Sequence, residues 1–260
     1  MSSEKRVVLL IVEGNSDKTA LELAINRYLA QNRLSNAFVC SAFASDFTIH
    51  RIEEPDTLMQ DDDDPVDNIV AAIKKYINGR ENTNKYKLSD IALVLSLSDF
   101  DCCYCKNDDV IVDTLPHSCV KKTYADLLNK KYICTDKPFI LKRNLLKTNS
   151  LGILANQEKI KVDDYVFCYY AFYCSINLEH SLYNESGSFT EDQKNDKAQQ
   201  FRLEVSNSPS LFYHRIESIP CIGKTYQDSW DETELFKRPF ERFSNLKIMI
   251  DLIISFLKSL

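Results

Sequence analysis

Several things are scarce in this sequence, and each shortage removes a class of protein. Only five Gly and seven Pro occur in 260 residues, which excludes collagen-like and low-complexity chains. An excess of positive charge is missing: 32 Lys and Arg stand against 38 Asp and Glu, a net charge of −6. Whole-chain basicity, a common footprint of nucleic-acid binding, is therefore absent. An acidic protein can still act on phosphodiesters if a divalent ion neutralises charge locally. Long apolar runs are also missing. Residues 7–12 are too few for a signal-peptide core or a membrane span, and 246–260 is interrupted by Lys247, Asp251 and Lys258. The expectation is a cytoplasmic protein with no membrane partner. A disulfide framework has no support either, because nine cysteines are an odd number and no secretion signal accompanies them.

What remains is a globular composition, 44% hydrophobic and 27% charged. The length suits one large α/β domain or a domain with a small helical appendage. Residues 7–12 form a continuous Val/Leu/Ile run ending at Glu13-Gly14, the pattern of a buried parallel strand and a tight turn. Ser16 or Asn15 can cap a helix over 17–29, where Ala20, Leu21, Ala24, Ile25, Tyr28 and Leu29 follow a 3.6-residue period. Further strands are predicted at 38–43, 91–97 and 165–174, and helices at 65–77, 120–131 and 176–184. The alternation argues a mostly parallel sheet with helices on both faces. Residues 185–207 are polar and predict a linker or exposed helix, before mixed structure that ends in a helix. The division expected is 1–184 as the catalytic domain and 185–260 as a mainly helical accessory region.

In such a sheet, functional groups gather at the carboxyl ends of strands. Two predicted strands end in carboxylates: Glu13, with Gly14 permitting a sharp turn, and Asp99-x-Asp101, where alternation puts both side chains on one side. Asp17, four residues after Glu13, can point back at the same place. Oxygen ligands of this kind suit Mg²⁺ or Mn²⁺.

The segments VVLLIVEGNSDKTAL and IALVLSLSDFD together resemble a Toprim domain. This is the metal-dependent module of primases, type IA and II topoisomerases, RNase M5-like and OLD-like nucleases. Its motifs match Glu13-Gly14 and Asp99/Asp101, and Asp17-Lys18 matches the extension of the RNase M5-like and OLD-like members. YAFYCSINLEHSLY is similar to a strand-then-Ser-Ile-Glu segment of bacterial defence proteins, including the Toprim effector of PARIS anti-phage systems, with Glu179 two residues later than usual. The resemblance implies a Toprim-like (Rossmann-like) fold. It also implies a Mg²⁺-dependent nuclease cleaving RNA, tRNA among the candidates, or DNA, in the role of a phage-defence effector. Glu13 would be a metal ligand or general acid/base, Asp99 and Asp101 would hold metal, and Asp17 would support a second ion. Lys18 and Glu179 are accessory candidates. A partner ABC-type ATPase and a homo-oligomer are compatible with it. The alternatives are a catalytically silent Toprim module bound to a partner ATPase, and a phosphotransferase-like enzyme.

Other patterns admit simpler explanations. Asp61–64 reads as a solvated acidic loop, since calcium-loop spacing is missing. Gly223-Lys224-Thr225 imitates the end of a P-loop, but Ser218 stands where the first Gly belongs. Cys102, Cys105, His117 and Cys119 could make a tetrahedral zinc set, though scattered thiols explain them better. Glu179-His180 reads equally well as part of the site or as a helix-start Glu with a packed His. Lys121-Lys122, Lys130-Lys131, Lys142-Arg143 and Lys147 are the candidate phosphate footprint.

Overall fold

Every residue of β1 (Arg6–Val12) after Arg6 is buried, because the strand lies in the middle of a sheet that is covered on both faces. The computed structural model describes residues 6–48, 64–79, 86–113, 123–185 and 189–260. β1 pairs in parallel with β2 (Phe38–Ala44) on one side and with β3 (Ile91–Asp99) on the other. β3 pairs in parallel with β8 (Tyr165–Cys174), and β7 (Lys159–Val162) closes the edge antiparallel to β8. The order is β2-β1-β3-β8-β7, so the fold is α/β with a mostly parallel mixed sheet. The chain leaves β1 for β2 in one direction and reaches β3 in the other. That reversal opens a crevice at the carboxyl ends of β1 and β3.

Alternation along β1 divides the core. Val8, Leu10 and Val12 pack with Ala20, Leu21, Ala24 and Ile25 of α1 (Asn15–Gln31). Val7, Leu9 and Ile11 pack with Ile69, Ala72, Ile73 and Tyr76 of α2 (Pro65–Asn78). Each fully buried Val, Leu or Ile contributes about 1.5–3 kcal/mol. Asp64 caps α2 by accepting the Val66 N–H at 2.8 Å, while 61–63 lie outside the described residues.

Residues 185–260, expected as an accessory region, are mainly helical where described. α5 (Glu191–Asn207), α6 (Ser210–Glu217) and α8 (Leu246–Ser259) place Phe201, Val205, Phe212, Ile216, Met249 and Ile253 in the same hydrophobic cluster as β1 and α1. α7 (Glu232–Lys237) is short and buries Leu235.

The helix expected at 120–131 is absent over 123–131, and 120–122 lie outside the described residues. Residues 123–134 form β5 (Thr123–Asp126), a tight turn with Lys130 at φ 52°, and β6 (Lys131–Cys134). Asp126 holds the turn by accepting the N–H and side-chain amide of Asn129. Local Asp–Asn bonding of this kind competes successfully with a helix. β4 (Val110–Val112) joins the other side of β6, giving a small second sheet. α3 (Lys137–Ala155), capped by Asp136, follows it. Among the described residues no helix is long and apolar enough to cross a membrane.

Candidate functional site

Glu13 leaves the end of β1, Asp99 is the last residue of β3, and these strands are parallel neighbours. Gly14 caps α1, and its N–H donates to Asp17 Oδ2 at 3.1 Å, which turns the Asp17 carboxylate back toward the strand ends. A Cβ on residue 14 would stand 3.1 Å from that oxygen, so the close approach favours glycine. Glu179, in α4 (Leu178–Tyr183), arrives from the end of β8 and is buried, and its Oε2 has no hydrogen-bond partner. A shallow pocket opens beside Asp17 and Glu179, with Ala20, Leu178 and Phe201 on its walls.

Asp99 and Asp101 do not continue one extended strand, as their alternation suggested. β3 ends at Asp99, and Asp101 and Cys102 have φ of 47° and 59°. Left-handed backbone is unfavourable for a side-chain-bearing residue, about 1–2 kcal/mol each. α3 holds the turn in place. Arg143 Nη2 donates to the Asp101 carbonyl at 2.9 Å and Thr148 Oγ1 to that of Cys103 at 3.2 Å. Asn144 Nδ2 reaches the Cys102 carbonyl at 3.4 Å. The Asp101 N–H donates to the Ile176 carbonyl at 3.0 Å, tying the turn to the end of β8.

The turn splits the carboxylates into two groups. Lys147 Nζ bridges Glu13 Oε2 at 3.1 Å and Asp101 Oδ2 at 3.0 Å. Glu13 Oε1 also accepts from the Thr48 hydroxyl at 2.9 Å. The Lys147 side chain is only 4% exposed, against 17% for Glu13 and 36% for Asp101, so the ammonium is the deepest member of the three. Burial disfavours its charge, but Asp101 and Glu13 outweigh burial and raise its pKa.

In the other group, burial first and then Glu179 push the Asp17 carboxyl up to about 7. Burial, followed by Asp17, Asp101 and Glu13, lifts Asp99 well above the ordinary carboxylate range. Lys194 of α5 faces this group. Burial works against its charge, yet Asp99, Glu179 and Asp17 raise its pKa. Lys194 lies four residues before Ala198 and seven before Phe201, on the buried face of α5. That helical spacing was the available signal for it, and a polar segment expected as a linker or an exposed helix concealed its buried face.

Lys18 stands in the first turn of α1, and its charge acts on Glu22. His180 is buried, shares a 3.1 Å hydrogen bond with Ser175, and has its pKa lowered to about 4 by burial and then by Arg242. Of the expected phosphate footprint, Lys147 and Arg143 meet the carboxylate turn, Lys131 binds Asp109, and Lys121-Lys122 lie outside the described residues. Cys102 and Cys105 are buried with Cys134 in a small apolar cluster. His117 and Cys119 lie outside the described residues. Gly223 has φ 65° and leads through Thr225 and Asp228, which bond each other reciprocally, into a short 3₁₀ turn.

Asp17, Asp99 and Glu179 offer only oxygen, carry mutual repulsion, and include one buried oxygen without a partner. Such a donor set fits a hard divalent cation. Among the described residues, no group of three or more Asp, Glu, His or Cys side chains already stands close enough together to hold a metal ion, so these three carboxylates would have to draw together around one. The chain matches no family model, no curated protein and no solved structure.

Proposed function

We propose that this chain is a Mg²⁺- or Mn²⁺-dependent nuclease of Toprim type that hydrolyses phosphodiester bonds in RNA or DNA. The observation that carries this reading is the gathering of Glu13, Asp17, Asp99, Asp101 and Glu179 at the carboxyl ends of β1, β3 and β8. Asp17, Asp99 and Glu179 would hold the ion. A divalent ion there would neutralise phosphate charge and lower the pKa of a bound water. Glu13 is the general acid/base, and Thr48 and Lys147 fix the plane of its carboxylate through both oxygens. Lys147, Arg143 and Lys194 bring positive charge to an edge that would otherwise repel a polyanion.

Glu13→Gln tests the reading. It keeps the shape and a hydrogen-bonding oxygen but removes the charge. Mg²⁺-dependent cleavage should fall by ~10²–10⁴ while circular dichroism stays that of the folded protein. The gel assay should contain tRNA, total RNA, plasmid and single-stranded DNA. Cleavage that survives the change would place the chemistry elsewhere. A wild type that cleaves none of these polymers would favour a catalytically silent module held by a partner ATPase.

A further inference from the structure

We infer that the site takes a single divalent ion, at Asp17, Asp99 and Glu179, because Lys147 permanently fills the Glu13–Asp101 half as a built-in cation. This rests on the proposed binding of a divalent ion at this edge. A group of carboxylates this size at the end of a sheet has oxygen enough for two ions, and two-ion phosphodiester chemistry is common. Here one half is already neutralised. Lys147 Nζ lies at 3.1 and 3.0 Å from a carboxylate oxygen on each side, and one of those carboxylates is also bonded to Thr48.

The ammonium is not a loose surface group that an arriving ion could push into water. Lys147 is 3% exposed overall, and it sits on the same face of α3 as Arg143, Asn144 and Thr148, which grip the carbonyls of residues 101–103. Displacing it would bury an ammonium without its counter-charges, which is strongly unfavourable. The other half differs: Glu179 Oε2 is buried and unpartnered, and Asp17 and Asp99 repel each other. Lys194 approaches that half from α5, but it is partly exposed and makes no close ion pair with Asp17, Asp99 or Glu179 among the described contacts. An incoming ion therefore meets carboxylates with no close ion pair at one half and a salt bridge at the other.

Mn²⁺ stoichiometry, read by electron paramagnetic resonance of the free ion, tests this on the full chain. Wild type should bind roughly one Mn²⁺ per chain, and Lys147→Met, which keeps the side-chain stem, roughly two. Lys147→Arg should remain at the wild-type number. Two ions on the wild type, with Asp99→Asn abolishing one of them, would overturn the inference and leave the metal-dependent reading standing. No Mn²⁺ on the wild type would overturn both. Lys147→Met that folds and still binds a single ion would overturn the inference alone. If Lys147→Met fails to fold, nitrogen-15 spectra of lysine ammonium groups decide on the wild type. A slowly exchanging Lys147 signal that persists at saturating Mg²⁺ supports the inference, and its loss overturns it.

Discussion

The two halves of the carboxylate edge are made of the same groups and held in opposite ways. On the α3 side, Glu13 and Asp101 share one buried ammonium, and Glu13 has a second donor in Thr48. On the α1 and α5 side, Asp17 and Asp99 are raised by burial and by their neighbours, and Glu179 keeps an oxygen with no partner. The first half is an ion pair network that supports the fold. The second stores unfavourable electrostatics in a folded protein, which is common where a ligand later supplies the missing charge. One left-handed turn at Asp101 and Cys102 creates the difference by sending Asp101 toward α3 while Asp99 stays with α1.

The largest expected effect in stability falls on the partnered half. Lys147→Met removes the ammonium that Glu13 and Asp101 share, leaving Arg143 to act on Asp101. A fully buried pair broken in this way costs about 3–5 kcal/mol, and Asp101 is exposed enough to reduce this to ~2–3 kcal/mol. Urea unfolding at pH 7 in chelator measures it. A loss below ~0.5 kcal/mol would mean that the bridge contributes no more than a surface pair, and the contrast between the halves would collapse.

The opposite sign is expected at Asp17. Its carboxyl is raised from 3.8 to about 7 in the folded chain. Below about pH 4 both folded and unfolded chains keep the proton, and no penalty exists. Between about pH 4 and 7 the unfolded chain has released it while the folded chain holds it, so stability falls as pH rises. Above that window the folded chain is ionised too and the whole penalty is present. Asp17→Asn keeps an oxygen to accept the Gly14 N–H and removes the titration. The shift corresponds to ~4 kcal/mol, and burying the amide itself offsets about half of it, so in chelator the variant should be more stable than wild type by about 1–2 kcal/mol at pH 8, with the gain vanishing by about pH 4. Adding Mn²⁺ should reverse the order, because only wild type gains binding energy. A pH-independent difference would show that Asp17 matters as a cap and not as a stored charge.

How much of this was legible in the sequence depended on whether apolar spacing carried it. β1, β3 and β8 could be read from Val/Leu/Ile and aromatic runs because both of their faces are buried. α1 and α2 could be read from one apolar face each. α3 could not, because Asn144 and Lys147 occupy its inward positions between Ile140 and Leu151 and break the apolar period. α5 was half legible: an exposed helix was one of the two expectations for its polar segment, but its buried face of Ala198, Phe201 and Val205 was not. The carboxylates were visible from motif order, but their division was not. It follows from the backbone at Asp101, which a neighbouring helix enforces and no local pattern marks.

The smallest expected effect lies at Thr48, and it isolates the second donor to Glu13. Thr48 is buried, and its hydroxyl gives Glu13 Oε1 a 2.9 Å hydrogen bond. Thr48→Val keeps the branched shape and removes the donor, so packing changes little. A hydrogen bond of this kind contributes ~1 kcal/mol net, and here Lys147 still compensates the same carboxylate through its other oxygen. Thr48→Val should therefore lower stability by ~1 kcal/mol, and Thr48→Ser, which restores the hydroxyl, by less. The double variant with Lys147→Met should be worse than the sum of the two, because Glu13 then has neither donor and their energies couple. Strict additivity would mean that Thr48 and Lys147 act on Glu13 independently, and the α3 half would then be two separate contacts in place of one network.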